Sequence, residues 1–185
     1  DEKPAQEESD DWSMPFGDVG RLVIEDVGIT VRLKKIYGRH RSEDQPIIDQ
    51  PDTAGWYDWS WAGDVSYGIA DHASQEFGTL YNVTPGSSIA RILHSDGSEE
   101  RYICTGIDSN GVNNGDGYFN SEGQDVGKID PNMLYMVTCN DDEGISITIT
   151  YWYPCNSEGE IICVKDEIVS SEDEFFEDEI ISSDE

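Results

Sequence analysis

The chain has 185 residues, 36% of them apolar, with 11 Lys plus Arg against 40 Asp plus Glu and a formal net charge of -29. One domain is the expectation at this length. The anionic balance argues against nucleic-acid binding and against docking on anionic lipid, both of which need clustered cations, and no apolar run is long enough to cross a membrane as a helix.

The charge is uneven. Residues 1–13 hold six acidic groups and one lysine, and residues 166–185 hold ten acidic groups and no base. Like-charge blocks repel themselves and resist packing, so both are read as acidic tails around a single domain spanning 14–165. The chain starts at Asp1 and shows no signal peptide, so a trimmed leader or anchor is expected.

Short β-like runs follow from the N-terminal side. Residues 22–24 and 29–33 are separated by Asp26-Val-Gly28. A Gly/Asp-containing stretch with Trp56, Tyr57, Trp59 and Trp61 reads as an aromatic loop, either packed over the domain or forming a wall for an apolar peptide. Residues 65–69 are the next run. Residues 88–94 and 101–107 flank Asp96-Gly97, a hairpin turn whose positions tolerate positive φ. Residues 108–116 are rich in oxygen ligands but lack the EF-hand Gly and Glu positions, so they read as a loop, with weak Ca²⁺ binding as the alternative. No other cofactor or metal is expected. Residues 133–139 lead through Asp141, Asp142, Glu143 and Gly144 into 145–153, where Ile145, Ile147, Ile149 and Tyr151 share one face and Ser146, Thr148 and Thr150 the other. Residues 161–164 are a candidate eighth strand. Many short strands and no long 3.6-residue periodicity indicate an all-β sandwich or closed barrel.

The four cysteines lack the paired spacing of a zinc site. Cys155 and Cys163 flank a reverse turn and are a candidate disulfide, given an oxidising compartment. Cys104 lies in an apolar strand and reads as a buried small hydrophobe. Cys139 ends a strand, where a side chain is held rigidly and remains accessible. A nucleophilic cysteine needs a proton partner. His40 lies in a basic stretch and His94 beside a turn; His72 again ends a strand, and is one of several candidate partners.

Four segments in order resemble the sortases, cysteine transpeptidases of Gram-positive cell surfaces. Residues 17–31 (GDVGRLVI…VGITV) resemble the family's opening strand pair. Ile69-Ala-Asp-His72 resembles the segment carrying the catalytic histidine, YNVTPG at 81–86 the stretch after it, and Met136-Val-Thr-Cys139 the TLxTC motif that ends in the nucleophile. The resemblance implies a closed eight-stranded sortase-type β-barrel with short helices or loops. His72 and Cys139 would face each other at one rim, and the substrates would be a sorting-signal peptide or surface protein and an amine acceptor. It implies extracellular or envelope location. One departure stands out: no Lys or Arg lies between Lys128 and Lys165, where sortases carry an arginine after the cysteine. Ser146 or Thr148 is expected near that position. Either Arg91 or Arg101 enters from elsewhere, or Asn140, Ser146 and Thr148 form a neutral oxyanion hole. The alternative is a catalytically impaired sortase-fold module that binds a peptide or protein partner.

Overall fold

The computed structural model describes residues 16–37 and 41–162. Both acidic tails, His40 and Cys163 lie outside the described residues.

Eight strands close into an all-β barrel. β1 (Gly20–Ile24) turns back through a left-handed Gly28 (φ 72°) into β2 (Ile29–Ile36). A short helix, α1 (Arg41–Ile48), carries the chain to β3 (Thr53–Tyr57), which runs parallel to β2. β4 (Tyr67–Ala70) pairs antiparallel with β3 and parallel with β8 (Leu134–Cys139). Between β4 and β8 come β5 (Ile89–Leu93), the long bulged β6 (Glu99–Asn113) and a two-residue β7 (Tyr118–Phe119). β9 (Ser146–Pro154) joins β8 to β6, and β5 closes the ring by pairing with both β1 and β6. β7 extends β6 outside the ring.

The interior is filled by the inward residues of these strands, among them Leu22, Val31, Ile69, Ile92, Met136 and Trp152. Burial of this apolar surface is the main driving force for closure. The polar indole of Trp152 is satisfied inside, its Nε1 donating to Thr150 Oγ1 at 2.7 Å. The Asp96-Gly97 hairpin forms as expected, with Gly97 at φ 87° between β5 and β6.

Two expectations need correction. The eighth barrel strand is β3, within the stretch read as an aromatic loop; residues 161–164 supply only the isolated bridge Cys155↔Ile161 within the described residues. Four of the five β3 residues are buried, so its two-residue alternation is hidden. Residues 108–113 continue β6 rather than forming a loop, and the Asp108 carboxylate accepts from the N–H groups of Asn110 (2.9 Å) and Ser121 (2.6 Å). Cys155 faces Ile161 across its bridge, and the expected disulfide falls outside the described residues because its partner Cys163 does.

Candidate active site

The β4–β8 pairing sets the site. Its register joins Tyr67 to Leu134 and Ala70 to Val137, and the Asp71 N–H continues it to the Val137 carbonyl at 3.3 Å. The offset is constant at 67 positions, so two residues past Ala70 the chain delivers His72 to the level of Cys139. Gly68 makes this pairing tight: a Cβ there would fall 2.3 Å from the Tyr135 ring. His72 and Cys139 both open onto one cleft of about 820 Å³.

α1 supplies the other side of the histidine. It lies over β3 and β2, and the missing side chain of Gly55 lets Ile48 approach: a Cβ there would be 3.1 Å from Ile48 Cγ2. This packing brings Asp49 Oδ1 to 2.9 Å and the Gln45 amide nitrogen to 3.0 Å from His72 Nε2. Nε2 donates to the Asp49 carboxylate when it carries the proton and accepts from the Gln45 amide when it does not, so these two groups hold the ring in either tautomer. Neither Gln45 nor Asp49 carried any sequence signal. Their helix is short and contains Pro46, a residue that reads as a helix breaker.

The floor and one wall of the cleft are apolar. Val137 and Ile147 line the floor, and Tyr57, Trp59 and Tyr118 form the wall. The three rings pack edge-to-face or stacked, with centroids 4.7–6.2 Å apart. Of the three tryptophans expected in the wall, only Trp59 belongs to it. Trp56 points to the opposite face of β3 from Tyr57 and stacks on Tyr67 at 5.3 Å, and Trp61 is 66% exposed. Strand parity separates neighbours that look equivalent in sequence.

Parity also corrects the expected arginine position. Cys139 lies directly opposite Ile147 on β9, and Ile147 is 1% exposed. Ser146 and Thr148 flank that position and point elsewhere. Together with Asn140 they form a cross-strand brace. Asn140 Nδ2 donates to the Ser109 carbonyl (3.0 Å) and to Ser146 Oγ (3.2 Å), and Asn140 Oδ1 accepts from Thr148 Oγ1 (2.7 Å). Both amide protons of Asn140 are therefore engaged away from a bound carbonyl.

Arg91 and Arg101 are not at the site. They are register partners at the opposite end of β6, where Arg91 pairs with Glu25 and Glu99 and Arg101 with Glu99. Roughly 35 Å of strand separates Arg101 from Val112, which does line the cleft. No Lys or Arg lines the cleft among the described residues. The mouth is instead acidic, with Asp141, Asp142 and Glu143. Asp141 has a structural duty: it accepts from the N–H groups of Ser146 (3.0 Å) and Ile145 (3.1 Å), which hold its carboxyl below the usual range. Cys104 is fully buried, as expected of a core residue, and burial pushes its thiol up to about 11. No cluster of three or more His, Cys, Asp or Glu side chains suited to a metal occurs among the described residues.

A closed eight-stranded barrel with one rim cleft fed by parallel inner strands is a recognised architecture: the chain has the sortase fold. A sortase A lid mutant from Corynebacterium diphtheriae superposes with TM-score 0.53 and 13% identity, covering 75% of this chain and 70% of that one. A sortase D5 transpeptidase from Clostridium perfringens gives 0.53 and 13%, covering 75% and 79%. A sortase C from Clostridium perfringens, solved with the C-terminal cell wall sorting motif, gives 0.52 and 12%, covering 75% and 70%. No family model matches the sequence, and no curated protein does. At these identities the likeness is one of fold.

Proposed function

We propose that the chain is a sortase-like cysteine transpeptidase acting at the cell envelope on a sorting-signal peptide. The observation that supports this is that His72, two residues past β4, and Cys139, the last residue of its parallel partner β8, line one cleft. In the reaction, the Cys139 thiol proton passes to His72, Sγ attacks the scissile carbonyl, a C–S bond forms and the C–N bond breaks. His72 gives its proton to the departing amine. An incoming amine, or water, then attacks the thioester carbonyl, the C–S bond breaks, and the nucleophile's proton passes through His72 to the Cys139 sulfur. Asp49 orients the imidazole through Nε2. The apolar wall of Tyr57, Trp59 and Tyr118 takes the peptide's apolar side chains, and Asp142 and Glu143 attract a cationic amine acceptor.

Among the described residues, Ile147 rather than a guanidinium stands opposite the nucleophile. Loss of one oxyanion donor costs on the order of 10²–10³ in rate, so slow turnover is expected. The test is capture of the thioacyl adduct. Purified protein is incubated with a sorting-motif peptide library, and Cys139 is read by intact mass and tryptic mapping. The adduct should form in the wild type and be absent in Cys139→Ala and much reduced in His72→Ala. Peptides that bind without ever acylating Cys139 would refute the enzymatic reading.

A further inference from the structure

Behind His72 lies an arrangement that the acyl-transfer chemistry does not use. Asp71 is 3% exposed, yet it is a carboxylic acid. Its Oδ1 accepts from the His72 N–H at 2.7 Å, which fixes the backbone of the histidine. Its Oδ2 has no hydrogen-bond donor, and Glu76 Oε2 is equally buried without one. Glu76 acts on the Asp71 carboxyl both as a like charge and as a hydrogen-bonding side chain. Two buried, adjacent oxygens that both need a donor are satisfied by a single proton placed between them.

We propose that Asp71 is held protonated and donates its proton to the Glu76 carboxylate, and that this shared proton pins the turn that carries His72. Asp71 is thus a positioning residue. The inference rests on the reading of His72 as the acid–base group.

The surroundings support a protonated acid. Burial is the largest influence on Asp71 and, against the lowering pull of the His72 and Phe77 N–H groups and with the Glu76 charge adding to it, pushes its carboxyl up to about 8. β8 presents Val137 and Thr138, and β3 presents Gly55 beside Ala70. Asp49 of the α1 end meets the imidazole rather than Asp71. The turn itself is short: Gln75 N–H donates to the His72 carbonyl at 3.0 Å and Gly78 N–H to the Gln75 carbonyl at 3.1 Å, so Glu76 cannot move off without disturbing His72.

The sign of the pH effect follows. A carboxyl with a raised folded pKa binds more protons folded than unfolded, so its contribution is complete below about 4 and is lost as pH rises to about 8. The test uses Asp71→Asn, whose amide can accept from His72 N–H and donate to Glu76, with Glu76→Gln as the reciprocal variant. Infrared spectra of the wild type at neutral pH should show the carbonyl stretch of a buried protonated carboxyl, absent from both variants. The wild-type Tm should fall relative to that of Asp71→Asn as pH rises from about 5 to about 8. The alkaline limb of thioacylation should lie near pH 8 in the wild type and move upward in Asp71→Asn, whereas Asp71→Ala should lose activity at every pH. A missing carboxyl band together with parallel Tm curves would overturn the proposal. The infrared band and the Tm curves need no substrate. If they behave as expected while no protein captures peptide, the transpeptidase reading fails and the shared proton stands. Should Asp71→Asn not fold, Glu76→Gln carries the same comparisons.

Discussion

Replacing Asn140 by Ala separates a brace from an oxyanion donor. The substitution removes two donated hydrogen bonds and one accepted bond, and it strands the hydroxyl of Thr148, which is 2% exposed. Each lost hydrogen bond is worth about 0.5–1.5 kcal/mol net, and a buried hydroxyl left unpaired costs about 1–3 kcal/mol. Allowing for water reaching the exposed Asn140 side, we expect a loss of roughly 2–4 kcal/mol. For a domain of this size that lowers Tm by roughly 5–15 °C. Thermal unfolding followed by near-ultraviolet circular dichroism reads the stability. Thioacylation of Cys139, measured well below the lowered Tm, reads the chemistry and should change by less than about tenfold. A rate loss of 10²–10³ with Tm unchanged would show that the amide serves the oxyanion, and the assignment of Asn140 as a brace would be wrong.

Further expectations concern the cleft and its register. Gly68→Ala drives a Cβ into the Tyr135 ring and should cost about 1–3 kcal/mol in urea unfolding, because β4 and β8 must separate or Tyr135 must swing out. Ile147→Arg puts a cation opposite Cys139. A nearby positive charge favours thiolate, so iodoacetamide alkylation at neutral pH should accelerate by about tenfold for each unit by which the thiol pKa falls; unchanged alkylation would mean that residue 147 does not face the sulfur. Trp59→Ala should weaken peptide binding by roughly tenfold, whereas Trp56→Ala should leave the peptide Kd unchanged, since Trp56 stacks on Tyr67 outside the cleft. Neutralising Asp142 and Glu143 together should erase any preference for cationic over neutral amine acceptors in a competition assay.

Much of the barrel could be read from sequence because its strands carry simple patterns. The alternation in β9 and the Asp96-Gly97 turn are local signals, and both survive in the structure. The site depended on something less local. Cys139 ends β8 and His72 lies two residues past β4, but only the order of segments similar to sortases joined them; no spacing rule makes strands 67 positions apart adjacent. What could not be read falls into two kinds. The first is strand parity. A shift of one position exchanges Ile147 for Ser146 or Thr148, and Tyr57 for Trp56, and parity is set by pairing partners that a single sequence does not reveal. The second is tertiary contact from weak elements. α1 has eight residues and an internal proline, and its contribution of Gln45 and Asp49 to His72 arises from packing at Gly55 rather than from its own periodicity.

The parallel pairing of β4 with β8 has a consequence for how this chain tolerates change. The residues between His72 and Cys139 form a long excursion that leaves one strand and returns on its neighbour. Insertions or deletions in the exposed turns of that excursion alter the number of intervening residues without moving either reactive side chain, because strand contact rather than chain length holds them level. A single-residue deletion inside β4 or β8 does the reverse: it rotates one partner to the other side of the sheet and uncouples the two. For the pairing of these two side chains, the fold thus concentrates its intolerance to length change in the ten residues of β4 and β8 and leaves the loops around the cleft free to vary.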